Sequence, residues 1–70
     1  MRNYDIQIGD LILEKLKEEK RTVRWLAKEM NTDPSNLRKR LNKNSMDTER
    51  LRLISKALNY NFFQFYIEEN

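Results

Sequence analysis

Apolar residues recur at spacings of three and four in several separate stretches of this chain, which is the period of one face of an α-helix. Ile8, Leu11, Ile12 and Leu16 form the first stripe, with Asp10, Glu14, Lys17 and Glu18 around the other sides, and predict a helix from Ile8 to about Glu19. After the polar break "KEEKRTVRW", Val23, Leu26, Ala27 and Met30 form a second stripe, with Thr22 placed to cap its amino end. Asn31, a residue that accepts the left-handed conformation, ends this second helix; Asp33 then caps a third, with Pro34 at its first position. That helix runs to about Asn42 and turns Leu37 and Leu41 inward. "NKNSM" reads as a loop, Asp47 as the cap of a fourth helix, and Leu51, Ile54, Ala57 and Leu58 as its buried stripe. The tail "NYNFFQFYIEEN" turns at Asn59 to Asn61 and predicts a short aromatic fifth helix within residues 60–70. Residues 1–7, in which Tyr4 and Ile6 alternate with polar residues, read as a short N-terminal arm.

Five helices and no strand make the expected fold all-α, a compact bundle in a single domain spanning residues 1–70. A chain of 70 residues buries roughly 60% of its unfolded surface and has room for one core only. Composition narrows the chemistry. There is no cysteine and no histidine, so disulfides, thiolate metal sites, the commonest zinc ligand and the commonest general base are all missing. Adjacent carboxylates such as Glu18 and Glu19 point in different directions on a helix, which leaves acid/base catalysis without a constellation. The expectation is a protein that is not an enzyme and needs no cofactor or metal. Acids interrupt the N-terminal segment where a signal peptide would be apolar, and no apolar run approaches the roughly 18 residues of a membrane span. A cytoplasmic protein without membrane contact is expected.

Net charge is +3, but it is unevenly placed: between Lys15 and Lys43, ten Lys or Arg face four acids (Glu18, Glu19, Glu29, Asp33), a local net charge of +6. That segment points to an anionic partner. Within it, two helices joined by a turn of about three residues, with small Ala27 four residues before Asn31, have the spacing of a helix-turn-helix, whose second helix enters the DNA major groove. At about 100° per residue, Leu37 and Leu41 define the inward side of the third helix. Ser35, Lys39, Asn42 and Lys43 then face outward, with Asn36 and Arg38 at the flanks. These side chains donate to phosphates and to guanine or adenine edges. Arg40 falls nearer the inward side, where its stem is expected to pack and its guanidinium to pair with an acid.

Those segments, "TVRWLAKEMNTDPSNLRKRLNK" followed by "MDTERLRLISKALNYNFF", resemble the Cro/repressor (XRE) family of helix-turn-helix regulators in the five-helix form of lambda-type repressor domains. The resemblance runs from about Ile8 to Tyr66. The "ISKALNYNFF" ending is similar to small regulators of Bacteroides-type bacteria. The resemblance implies that Thr22 and Arg24 contact phosphate, that Ser35, Arg38 and Lys39 reach bases, and that the amino end of the fourth helix, near Asp47 and Thr48, approaches the DNA backbone through amide groups. The chain departs from the family at three positions. Asn31 stands where Gly is usual, Pro34 where many members place a base-reading Gln, and Arg40 where an apolar residue is usual.

The candidate DNA-binding residues are therefore Thr22, Arg24, Ser35, Asn36, Arg38, Lys39, Asn42 and Lys43, and the expected function is a sequence-specific DNA-binding transcriptional regulator, a repressor, acting on double-stranded DNA. Trp25 lies roughly opposite the stripe of its own helix and is expected outside that core, either under the N-terminal arm against Tyr4 or Ile6, or in a dimer contact or on a partner surface. Phe62, Phe63, Phe65 and Tyr66 exceed what the tail can bury against itself, and either cap the first and fourth helices or form a homodimer interface. The alternative function is a protein-interaction module on the same fold, an antitoxin or phage-derived adaptor that binds a partner through Trp25 and the aromatic tail.

Overall fold

In a computed structural model of the chain, which describes residues 7–44 and 46–66, the expected breaks become helix ends. The elements are α1 (Ile8–Glu18), α2 (Val23–Glu29), α3 (Pro34–Lys43) and α4 (Thr48–Leu58), followed by a 3-10 helix, Phe62–Tyr66. There is no strand among the described residues.

Local chemistry accounts for the starts of three helices. The Thr22 hydroxyl accepts from the Trp25 amide at 3.0 Å, an Asp33 carboxylate oxygen from the Asn36 amide at 3.2 Å, and an Asp47 oxygen from the Arg50 amide at 2.8 Å. Each satisfies one of the amides that a helix leaves unpaired at its first turn. α1 is different. Gln7 offers its side chain no capping bond, and the acceptor comes from elsewhere in the fold: Asn44 Oδ1 accepts from the Gly9 amide at 2.7 Å and from the Asp10 amide at 3.3 Å.

The helix ends share one device. Lys20, Asn31, Asn44 and Asn59 all have positive φ, between 52° and 58°. After α1, α2 and α4 the residue that follows the left-handed one donates back to the carbonyl five positions earlier: Arg21 to Leu16, Thr32 to Ala27, Tyr60 to Ser55. This closes the exposed carbonyls of the last turn. Glycine usually takes such positions because it has no Cβ to strain. Here three of the four are Asn and one is Lys. The only glycine in the sequence, Gly9, lies instead within α1, where a Cβ would overlap the main-chain carbonyl of Leu41 and approach Asn44 Oδ1. α1 and the end of α3 cross too closely there for any side chain.

The core is one cluster: Ile8, Ile12 and Leu16 from α1, Val23, Leu26 and Ala27 from α2, Leu37 and Leu41 from α3, Leu51, Ile54 and Leu58 from α4, and Phe62. α3 packs on both α1 and α2, α4 packs on α2, and the 3-10 helix packs on α4. The longest dimension is 38 Å and the other two are about 20 Å.

Three sequence expectations need correction. The fifth helix is a five-residue 3-10 helix, not an α-helix. The Asn59 turn and the Asn61 side chain, which accepts from the Phe63 amide at 3.1 Å, set a tight start, and the chain follows its buried ring. Phe62 is completely buried and meets Tyr60 edge-on at 5.0 Å, whereas Tyr66 is 46% exposed. Trp25, expected outside the core of its helix, is half-buried and packs against that core, its ring covered in part by Arg21 from the connection between α1 and α2. The Arg21 guanidinium lies 4.6 Å from its ring centre, a cation–π contact. Tyr4, Ile6 and most of the expected N-terminal arm lie outside the described residues. The third correction, the pairing of Arg40, belongs to the site.

Candidate nucleic-acid interface

α3 is fastened at both ends before any of its outward residues is considered. Asp33 caps it and Pro34 presets its first φ; Leu37 and Leu41 anchor it in the core; Asn44 ties its last turn to α1. Its outward side chains are therefore displayed from a rigid rod, about 15 Å long for ten residues at 1.5 Å each.

All eight candidate residues are exposed. Two shallow grooves run beside α3. The first, of about 360 Å³, lies between α3 and α4 and is lined by Asn36, Lys39, Arg40, Lys43 and Arg50. The second, of about 420 Å³, lies at the turn between α2 and α3 and is lined by Arg24, Lys28, Asn31, Thr32, Asp33 and Pro34. Asn36, Lys39 and Lys43 are thus brought together in one groove and Arg24 lies in the other. Ser35, Arg38 and Asn42 follow one another at three- and four-residue spacing along the other side of the exposed face, outside the lining of both grooves. Thr22 is at the surface, with its hydroxyl already engaged as the cap of α2.

The site also includes residues that the sequence reading passed over. Arg50 enters from α4; its guanidinium is 3.3 Å from Asp47, whose other carboxylate oxygen accepts from the Arg50 amide. Lys28 joins Arg24 on α2. The available signal was angular. With Leu51, Ile54 and Leu58 inward, Arg50 falls on the flank of α4, but a single helix wheel does not show which neighbour that flank meets. Arg40 is the correction noted above. It is half-buried, as its position near the inward side requires, yet among the described residues no carboxylate lies within 4 Å of it. It lines the α3–α4 groove instead, where α4 presents Arg50 and the next turn of α3 presents Lys43, not an acid.

The acids are spent elsewhere. Glu18 and Glu19 pair with Lys15 at 3.4 and 3.7 Å, and Glu49 pairs with Arg52 at 2.8 Å. The hydrogen bond and charge of Arg52 hold the Glu49 carboxyl below its ordinary range and raise the guanidinium in turn. Among the described residues the α3–α4 groove has no carboxylate in its lining and the α2–α3 groove has one, Asp33, which is engaged with the Asn36 amide. The surface is therefore cationic around α3 and balanced on α1 and the outer side of α4. Such a surface attracts polyanions and positions them by many weak contacts.

No polar or charged residue is buried among the described residues, and no group of three or more acidic side chains is gathered to hold a metal ion. No helix among them is long and apolar enough to cross a membrane. Comparison with known proteins returns no match: no protein-family model fits the chain, and no curated protein or solved structure is significantly similar to it.

Proposed function

We propose that the protein is a sequence-specific DNA-binding regulator, a repressor of the cytoplasm, which inserts α3 into the major groove as the second helix of a helix-turn-helix formed with α2. The observation that carries this reading is the exposed face of α3. Ser35, Asn36, Arg38, Lys39, Asn42 and Lys43 lie on it without one acidic side chain, on a helix capped at its start and fixed at its end. The cationic grooves beside it suit the two phosphate backbones that flank a major groove about 12 Å wide. The resemblance of the sequence to the Cro/repressor (XRE) family supports the same reading, and in the five-helix lambda-type arrangement the 3-10 segment would stand in place of the last helix.

In this account Arg24, Thr22 and the start of α4 meet phosphates, and the α3 face meets base edges and the phosphates beside them. A homodimer through the aromatic segment, in which Tyr66 is exposed and Phe63 and Phe65 are half-buried, would present two copies of α3 to half-sites about 34 Å apart. The alternative, a protein-interaction module such as an antitoxin, draws on the exposure of Tyr66. It is weakened by the internal use of the other aromatic rings: Phe62 is buried, and Trp25, Phe63 and Phe65 pack against the core.

The test is selection of bound sequences from a random DNA pool by the wild type and Lys39→Glu. A palindromic motif enriched by the wild type and lost in the variant is the expected result. Absence of enrichment by the wild type, with the fold intact by circular dichroism, would refute the reading and favour the interaction module.

A further inference from the structure

The α3–α4 groove gathers four cations from two helices, Lys39, Arg40 and Lys43 from α3 and Arg50 from α4, with the Asn36 amide beside them. Among the described residues the one carboxylate in ion-pair contact with this set is Asp47, on Arg50. The cluster therefore keeps about three uncompensated positive charges around a groove of about 360 Å³. Like charges that line one groove repel one another, more so where part of the side chain is out of water. Arg40 is the informative member. Its position adjoins the buried Leu41, and an apolar residue there would pack without repulsion. An arginine that is half-buried, has no acid in ion-pair contact among the described residues and lines one groove with three other cations is placed for an external anion. Arg50 adds a second guanidinium, which Asp47 contacts at 3.3 Å. Two planar guanidinium groups match the oxygens of a tetrahedral phosphate better than ammonium groups alone.

We propose that this groove is a phosphate-binding site in which Arg40 and Arg50, helped by Lys43, clamp one phosphodiester of the DNA backbone. The ligand assignment rests on the DNA-binding reading; the geometry of the groove does not. Arg40 is then a backbone-binding residue, and the bases are left to the other side of the exposed face, Ser35, Arg38 and Asn42, with Lys39 between the two rows. Contacts to phosphate set affinity and salt dependence without setting sequence, so the two rows separate experimentally.

The experiment measures binding of the full chain to its selected duplex and to an unrelated duplex across a salt series, for the wild type, Arg40→Gln and Lys43→Gln, with pyrophosphate titrated into each and followed by amide chemical shifts. Lys43 is exposed, so its variant reads the site even if Arg40→Gln folds poorly. The expected result is a logarithmic salt slope shallower by about one in each variant, a similar loss of affinity on both duplexes, an unchanged preferred sequence, and pyrophosphate shifts at α3 and the start of α4 that disappear in Arg40→Gln. Sequence-selective binding by the wild type with an unchanged slope in both variants would overturn the groove assignment and leave the DNA-binding reading standing. Pyrophosphate binding that depends on Arg40, without any DNA binding, would overturn the phosphodiester assignment together with the DNA reading and identify a site for free polyphosphate. No response to either probe would overturn both.

Discussion

Replacing Gly9 by alanine tests the packing argument on which the placement of α3 depends, because two physical effects predict opposite signs. Alanine is favoured over glycine within a helix by at most about 1 kcal/mol, so local propensity predicts stabilisation. Tertiary packing predicts the reverse. The new Cβ would overlap the Leu41 carbonyl oxygen, a main-chain atom that no rotamer change can move aside, and would crowd Asn44 Oδ1. α1 must then shift from the end of α3, at a cost of roughly 1–3 kcal/mol for overpacking. The same shift stretches the 2.7 Å bond from the Gly9 amide to Asn44. Leaving that part-buried amide unsatisfied costs about 1–3 kcal/mol more. The net expectation is a destabilisation of about 2–4 kcal/mol, against a total stability on the order of 4–10 kcal/mol for a chain of this length. Urea unfolding followed by far-ultraviolet circular dichroism measures it. With a slope near 1 kcal/mol/M, the midpoint should fall by about 2 M or more at unchanged slope. A midpoint equal to or above the wild type would mean that α1 and α3 do not cross this closely, and would refute the argument for glycine at this position.

Other expectations follow from the same contacts. Asn44→Gly keeps the left-handed backbone and removes the acceptor for α1, costing about 1–2 kcal/mol; Asn44→Ala adds backbone strain of about 1–2 kcal/mol, so thermal unfolding should order wild type above Gly above Ala, and equal melting of the two variants would contradict the dual role. Lys20, at φ 58° and exposed, should tolerate Lys20→Gly with a gain of up to about 1 kcal/mol, seen as a rise of roughly 4–8 °C in melting temperature; a fall would show that the lysine side chain contributes something the backbone argument omits. Phe62→Ala should cost about 3–5 kcal/mol, a large part of the total stability, and a cooperative transition near that of the wild type would mean that the 3-10 segment is not part of the core.

The sequence by itself determined where the helices lie and how three of them begin. The apolar stripes identified Leu37, Leu41, Ile54 and the rest of the buried face, and the caps at Thr22, Asp33 and Asp47 were legible because a cap acts within three residues of itself. Asn31 as a helix terminator was legible for the same reason. All eight residues of the candidate interface were also found at the surface, since an angular argument on one helix needs only that helix. The neighbours of each face were decided by the tertiary structure alone. The Asn44 bond to Gly9 joins positions 35 residues apart, and nothing local to either residue signals it. The burial of Phe62 beneath Tyr60, the half-burial of Trp25 under Arg21, and the meeting of Arg40 with Arg50 in place of an acid have the same origin. Periodicity specifies which side of a helix avoids water. It carries no information about the angle at which two helices cross, and that angle selects the partners of every residue on the flanks.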